Sequence, residues 1–309
     1  MQPNESYYEQ RRRWGLALIA IGVVWLVFAV GGNKPADTPI FSAERQAVDQ
    51  QSFTGVNSLE IATSSDDIEL IGGGSDQIEV KVVRSGYGLN NNIADQSLNS
   101  LNVTMNQNGT TVRVEVLHTE PGPSLFRRSP RARLQISVPP HVRLQVSTIS
   151  GDIQLHAVTG SGTITTTSGD IAGSQVEGVL RIKATNGKID LSRSSGDFTL
   201  ETFSGDIRVE AATQTTFNAT TVSGDIRFTG SLAPGRDQQL KSTAGDIELD
   251  LPANSGLRLN VTTLTGSIKQ NFALRDAVVE PHRINGTVGD GTIGLTIDTT
   301  SGDVDIRSE

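Results

Sequence analysis

The residues most able to take part in chemistry are aspartates, each of which follows a glycine, and these pairs recur at a regular interval. The repeating units are Gly151-Asp152, Gly169-Asp170, Gly205-Asp206, Gly224-Asp225, Gly245-Asp246 and Gly302-Asp303, with Gly187-Lys188 and Gly266-Ser267 as degenerate copies. Stacked carboxylates could ligate Ca²⁺, a hard cation that binds several oxygens. Gly and Asp are also turn residues, since Gly accepts φ > 0 and Asp hydrogen-bonds nearby backbone. We therefore expect structural turns, keep a calcium ladder as the alternative, and predict no cofactor.

Other motifs that carry chemistry lack the context they need. Residues 289–294 match G-x-G-x-x-G, but 295–299 alternates like a strand, whereas a dinucleotide site needs a helix N-terminus there. The histidines share no ligand or triad spacing; they are His118, His141, His156 and His282. Cysteine is absent, which excludes thiolate metal sites and a thiol nucleophile. We predict that the protein is not an enzyme.

The charge balance disfavours nucleic acid as a partner. The net charge is −8, whereas nucleic-acid binding needs a basic footprint. Beyond the N-terminus, basic residues cluster in one segment, 121–133, which reads as a loop; they are Arg127, Arg128, Arg131 and Arg133. This cluster could contact anionic lipid head groups or cell-wall polymers. The alternative is an ordinary solvated loop.

The residues around each glycine predict how the chain positions these units. Apolar residues recur seven and five positions before the glycine and two positions after it, and a small residue stands three before it. A spacing of two indicates strands with one inward face, and a Gly-Asp step between two strands indicates a corner. Because one such coil cannot close a core alone, stacked coils are required. The sequence predicts an all-β protein with a β-solenoid of roughly 18–21-residue coils over residues 141–309.

The same template fits an earlier segment of the chain. Two intervals, one before the main repeats and one near their end, do not follow the regular spacing. Leu59, Ile61, Ile68 and Leu70 occupy its apolar positions, and Asp66 stands in the glycine position. Residues 53–140 are therefore predicted to form a first coil with a β-rich elaboration, including a hairpin at Asn108-Gly109 and the Arg-rich loop. The interval from 266 to 302 is predicted to hold two coils, with a weak copy near 286.

An apolar segment near the N-terminus predicts a membrane anchor. Residues 14–32 carry no charge, and as a helix they would span roughly 28 Å, close to the thickness of a bilayer core. Arg11 to Arg13 precede this segment, so the positive-inside rule places 1–13 in the cytoplasm and the later residues outside the cell membrane. Residues 33–52 are predicted to be a linker. The alternative is a cleaved signal peptide ending near 29–31.

The repeat also carries a family resemblance. Residues 136–140, followed by 144–153 and the Ser-Gly-Asp series, resemble an adhesin-like domain of unknown function in bacterial envelope proteins, over about 55–309. The resemblance implies a β-helix-like domain, often on a membrane anchor, and it supplies no catalytic or ligand residues. We expect a non-enzymatic module that binds a protein or glycan of the cell envelope. The alternatives are an accessory regulator that transmits envelope stress across the membrane and, more weakly, a carbohydrate-active enzyme.

Overall fold

The computed structural model describes residues 43–119 and 129–309, together with the backbone of 26–28. Within these ranges the fold is built from β-strands, with one α-helix, α1 (Asn91–Asn99). No helix in the described part is both long and apolar enough to cross a bilayer. The structure therefore agrees with the all-β prediction for the domain that carries the repeats.

Two parallel sheets face each other, and successive rungs of a solenoid contribute one strand to each. Sheet I contains, in spatial order, β7 (Thr111–His118), β3 (Ser58–Ala62), β9 (Val142–Thr148), β11 (Thr159–Thr166), β13 (Glu177–Asn186), β15 (Ser195–Ser204), the end of β16 (Ile207–Ser223), β18 (Asp237–Ala244), β24 (Ile293–Ser301) and β20 (Leu257–Thr265). Sheet II contains, in the same order, β8 (Arg131–Val138), β4 (Asp67–Gly72), β10 (Ile153–His156), β12 (Ile171–Ser174), β14 (Ile189–Ser192), the start of β16, β17 (Ile226–Leu232), β19 (Ile247–Leu251), β25 (Val304–Ser308) and β21 (Ile268–Gln270).

The core is a set of columns in which equivalent residues of neighbouring rungs lie in register. The column two residues after each corner is almost entirely isoleucine and is 0–1% exposed; it runs through Ile68, Ile153, Ile171, Ile189, Ile207, Ile226, Ile247 and Val304. Burying one such side chain stabilises the fold by about 2 kcal/mol. Because each side chain packs on its copy in the next rung, the columns confirm the solenoid-like architecture predicted from the repeat.

The order of the rungs in space differs from their order along the chain at both ends. The first coil of the sequence, β3 and β4, lies between the pair β7 and β8 and the pair β9 and β10. The last coil, β24 and β25, likewise lies between the pair β18 and β19 and the pair β20 and β21. The chain therefore twice steps over the width of one rung, and an end segment fills each gap.

Prolines mark both places where the chain steps over a rung. Pro139 and Pro140 lie between β8 and β9, and Pro252 lies between β19 and β20. Proline has no backbone N–H to offer to a neighbouring strand and disfavours helical backbone at the residue before it. Such residues suit a segment that leaves one rung and crosses to a position about 10 Å away, which is two rung spacings.

Antiparallel strands cover both sheets at one end of the solenoid and sheet I at the other. At the latter end, β22 (Arg275–Glu280) and β23 (Arg283–Val288) form a hairpin, and β23 pairs antiparallel with β20. The prediction of a further coil near Gly286 is wrong, because Gly286 lies inside this hairpin opposite Leu259. The repeat template could not exclude it, since an antiparallel strand shows the same alternation of apolar residues as a parallel one.

The elaboration between 53 and 140 caps the other end. The hairpin predicted at Asn108-Gly109 is present as β6 (Leu101–Asn108) and β7. In sheet II, β5 (Gln77–Gly88) pairs antiparallel with β8. Helix α1 packs on β5 at two glycines, where a Cβ on Gly86 or Gly88 would lie 2.4–2.5 Å from the helix backbone. The prediction of a β-rich elaboration did not include this helix.

The prediction of a linker at 33–52 is wrong for the residues that the structure describes. Residues Ala43–Thr54 form strand β2, which pairs antiparallel with β5. Its inward positions include Asp49, whose carboxylate Oδ2 lies 2.6 Å from Nε of Arg84. A buried carboxylate is tolerated when a guanidinium pairs with it, and a single sequence does not reveal that partner. The earlier part of the predicted linker lies outside the described residues.

The structure describes three residues of the predicted membrane helix, and these three form a strand. Leu26–Phe28 is strand β1, antiparallel to β2 with Val27 opposite Ala47. A short run of Leu, Val and Phe fits either a helix or a strand, so composition cannot decide between them. The predicted tail 1–13 and the rest of the predicted helix lie outside the described residues.

The displaced rung order can be tested by engineered disulfides in this cysteine-free chain. Thr296 lies in register beside both Gln239 and Asn260, which are therefore two rungs apart. Because a disulfide requires Cα atoms within about 7 Å, the pair Gln239→Cys/Thr296→Cys should oxidise readily. The matched pair Gln239→Cys/Asn260→Cys should stay reduced. Gel shift under non-reducing conditions measures both, and the reverse result would restore the sequential order.

Candidate functional site

The corner glycines are required by how closely the rungs approach. A Cβ on Gly169 would lie 2.0 Å from the carbonyl oxygen of Gly151. The other corners show the same contact at 1.8–2.2 Å; they are Gly151, Gly187, Gly205, Gly224, Gly245, Gly266 and Gly302. The sequence suggested positive φ as the reason for glycine, but Gly169 and Gly302 have no positive φ. At these corners the missing side chain matters more than the backbone freedom.

Small hydroxyl residues inside each corner satisfy the carbonyl groups that the close approach buries. Oγ1 of Thr202 donates to the Gly187 carbonyl at 3.1 Å, and Oγ1 of Thr263 donates to the Gly302 carbonyl at the same distance. Equivalent bonds recur at 3.2–3.4 Å from Thr166, Thr221, Ser242 and Thr299. A buried carbonyl without a partner costs free energy, so this position favours threonine or serine over a plain apolar residue.

The corner aspartates form a hydrogen-bonded ladder that runs along the outside of the solenoid. Oδ1 of each aspartate accepts the backbone N–H of the equivalent residue in the next rung. The bonds are 2.8–3.1 Å long, and the accepting residues are Asp152, Asp170, Asp206, Asp225, Asp246 and Asp303. Ser267 needs no such acceptor, because β21 is the last strand of sheet II. Its departure from the Gly-Asp pattern follows from its place in the stack.

This geometry disfavours the calcium alternative. One oxygen of each corner carboxylate is already used by a backbone N–H, whereas Ca²⁺ takes six to eight oxygens. Among the residues that the structure describes, no group of three or more His, Asp or Glu side chains converges as a metal site. Within the described ranges, each of these corner carboxylates instead makes a hydrogen bond to the next rung.

An exposed row of side chains runs beside this ladder. It consists of the residues two positions before the corner glycines, and we call it the corner ridge; in stack order it contains Ile149, Thr167, Thr185, Phe203, Val222, Thr243, Thr300 and Leu264. Four of its members are apolar, and the exposed fractions of Phe203 and Leu264 are 59% and 69%. Sequence reasoning did not single out this position, although the register counted from the glycines would have located it.

The predicted arginine cluster is divided by the structure. Arg131 and Arg133 lie on strand β8 of sheet II, so the predicted loop ends before them. Arg133 lies 3.9 Å from the Asp67 carboxylate, and Glu44 lines the same surface cavity of about 390 Å³. These acidic neighbours offset the charge of the two arginines. Arg127 and Arg128 lie outside the described residues, so contact of the four with an anionic surface stays a prediction.

The opposite corner of each rung has its own signature, which the sequence analysis missed. Non-glycine residues adopt left-handed backbone at intervals of 18, at Ala157, Gln175, Arg193 and Ala211. Just after them a column of stacked glycines, Gly160, Gly178 and Gly196, floors a shallow cavity of about 430 Å³. The 18-residue spacing of these glycines was the available signal. The cavity is lined mainly by glycine, serine and threonine, and His141, Glu177 and Val179 also line it.

Asp66 takes a different role from the corner residues that it resembles. It is fully buried in the glycine position of the first coil, where its carboxylate accepts the Ala132 N–H at 2.8 Å and lies 2.9 Å from Nε2 of His118. These contacts join β4 to β7 and β8. The histidine and the aspartate are 52 residues apart in sequence, so spacing alone could not pair them.

The rungs, the glycine corners and the capped ends define a β-solenoid of two parallel sheets. The chain belongs to the Toastrack DUF4097 family, whose sequence profile matches residues 56–307. This confirms the family resemblance stated from the repeat. A comparison with curated proteins finds no match.

Solved structures with a similar backbone path come from several bacteria. A "putative adhesin" from Bacteroides fragilis is 10% identical, with 90% of this chain and 100% of that chain covered and a TM-score of 0.46. A "putative cell adhesion protein" from Clostridium sporogenes is 12% identical, with 85% and 99% covered and a TM-score of 0.28. A "putative lipid binding protein" from Parabacteroides distasonis is 13% identical, with 83% and 96% covered and a TM-score of 0.38. At these identities and TM-scores the likeness does not extend to function.

The close approach at the corners predicts a steep cost for any added side chain. Gly169→Ala should destabilise the protein by about 3 kcal/mol, since a backbone oxygen must move to admit the methyl group. Gly74→Ala is the matched control, because nothing lies within 4 Å of its Cβ position. Urea unfolding of both variants measures the difference. Equal stability of the two would contradict the packing argument.

The ladder also predicts a dependence of stability on pH. The hydrogen bond from the Ser267 N–H lowers the pKa of the Asp303 carboxyl below its ordinary value of 3.8. A lowered pKa in the folded state means that the carboxylate stabilises the fold above pH 3.8 and loses this effect as the pH falls through the folded-state value. In Asp303→Asn the amide oxygen still accepts the N–H. Its urea midpoint should therefore fall less than that of the unchanged protein between pH 5 and pH 3, and identical falls would refute the coupling.

Proposed function

We propose that this protein is a non-enzymatic binding module of the cell envelope. In this proposal the solenoid lies outside the cytoplasm, where it presents the corner ridge to a protein or glycan. The observation that carries the proposal is the exposure of Ile149, Phe203, Val222 and Leu264 on one edge of a domain whose other apolar positions are mostly buried. Exposed apolar rows on a rigid scaffold are typical of interaction surfaces.

The rigidity of the ridge supports a binding role. Each ridge residue stands two positions before a corner glycine, and that corner is held by the backbone contacts, hydroxyl bonds and aspartate bonds described above. The side chains are therefore presented at a fixed repeat of about 4.8 Å. A surface that needs no ordering on binding loses less entropy than a mobile loop.

The fold does not require an apolar residue at the ridge position, and this also supports a binding role. Four rungs carry threonine at the ridge position, at Thr167, Thr185, Thr243 and Thr300, and all four are exposed. The fold therefore accommodates a polar residue at this position. The large apolar residues in the other rungs are 37–69% exposed, so packing within the domain covers only part of their surface.

The ridge can be tested with residues that the protein itself uses at this position. We expect the triple variant Phe203→Thr/Val222→Thr/Leu264→Thr to bind isolated bacterial envelope fragments at least tenfold more weakly than the unchanged protein, because three apolar contacts are lost. Its urea midpoint should stay the same, since these side chains are exposed. Sedimentation of the purified full chain with the fragments measures the binding.

A matched control removes exposed apolar side chains elsewhere. Val278→Thr/Val279→Thr changes two exposed valines of the end hairpin and leaves the ridge intact. This variant should bind envelope fragments as the unchanged protein does. Unchanged binding by the ridge variant, or an equal loss in both variants, would rule out the ridge as the binding surface.

A further inference from the structure

We propose that the corner ridge binds a cationic, partly apolar segment of polypeptide that lies along the solenoid axis. This inference rests on the proposed function and adds the chemistry of the partner. It is drawn from the charges that flank the ridge and from the way in which those charges are held in place.

The corner carboxylates follow the ridge residues by three positions in each rung, at the same corner of the solenoid. The central rungs show the arrangement most clearly, since Phe203 is followed by Asp206 and Val222 by Asp225. The next rung continues both rows with Thr243 and Asp246. A partner that contacts the apolar row therefore meets a parallel row of negative charge on one side.

One oxygen of these carboxylates remains open to a partner. Oδ1 is occupied by the N–H of the next rung, which fixes the orientation of the carboxylate. In the described part of the chain, no hydrogen bond or ion pair involves Oδ2 of Asp152, Asp170, Asp225 or Asp246, and these residues are exposed. Within the row, Lys188 is the one basic residue among the corner positions, and its ammonium lies 3.8 Å from Asp206. The row is therefore strongly acidic and pre-oriented.

These charges distinguish between the possible occupants of the ridge. An anionic lipid surface or an anionic cell-wall polymer would be repelled by the carboxylates. A second copy packed ridge to ridge would bring two acidic rows together, which costs free energy. An uncharged glycan can donate hydroxyl hydrogen bonds to the open Oδ2 atoms, but it brings no positive charge to pair with the acidic row. A segment that alternates basic and apolar side chains satisfies both rows, and it would attach faster at low ionic strength.

The test uses a soluble peptide of alternating lysine and leucine as the probe, with a glutamate and leucine peptide as its acidic counterpart. The full chain should bind the first and not the second, and binding should weaken as salt is added. Asp206→Asn/Asp225→Asn/Asp246→Asn removes three charges, while the amide oxygens still accept the N–H groups of the next rungs. We expect a loss of about threefold for each charge removed, measured by fluorescence titration.

A matched variant removes three exposed charges away from the ridge. Asp76→Asn/Glu177→Gln/Asp276→Asn should bind the lysine peptide as tightly as the unchanged protein, because these residues lie in the turn between β4 and β5, at the opposite corner and at the start of β22. An equal loss in both variants would mean that net charge alone attracts the peptide. That outcome would overturn the inference.

The outcomes separate this inference from the proposed function. If the ridge variants with threonine lose binding to envelope fragments and the lysine peptide competes with the fragments, both stand. If those variants lose binding but soluble neutral cell-wall glycan competes and the peptide does not, the ridge is a glycan surface and the inference fails. If the threonine variants bind fragments normally, the proposed function itself fails.

Discussion

The closeness of backbone to backbone at the glycine corner governs the rest of this structure. Two neighbouring rungs approach until no Cβ can fit between a corner residue and the carbonyl oxygen of the rung below. That approach buries carbonyl groups, which must then be satisfied by the hydroxyl residues inside the corner. It also brings each aspartate within reach of the next N–H. The Thr-x-x-Gly-Asp pattern is therefore a single packing solution repeated along the solenoid.

The same stacking creates a problem at the ends, where a rung would have open strand edges. Open edges invite pairing with other chains, so proteins cover or interrupt them. Here the chain steps over one rung at each end and lets an end segment fill the gap, and antiparallel strands then cover the outer strands β7, β8 and β20. Both coils nearest to the chain ends are thereby held by strands on two sides. Fraying of a terminal coil would require the loss of two strand interfaces rather than one.

The corner separates the positions that hold the fold from those free to vary. Inward positions and the glycine are constrained by packing, and the aspartate is constrained by its bond to the next rung. The ridge position faces solvent and carries threonine, isoleucine, valine, leucine or phenylalanine in different rungs. Variation at a rigidly held, exposed position changes the surface of the solenoid with little effect on stability. The proposed binding surface therefore lies on a strongly constrained part of the backbone.

The sequence by itself determined the rung, because everything within a rung repeats at short range. The Gly-Asp step, the apolar alternation and the hydroxyl residue specified the strands, the corner and the core columns, and even the early coil at 59–70 with Asp66 in the glycine position. The hairpin at Asn108-Gly109 was equally local. Only the tertiary structure decided which rung lies beside which. A repeat makes the faces of all rungs alike, so periodicity cannot tell that the coil at Gly302 sits between those at Gly245 and Gly266. The pairings of Asp49 with Arg84 and of Asp66 with His118 were hidden for a related reason, because each joins elements that are distant in the chain.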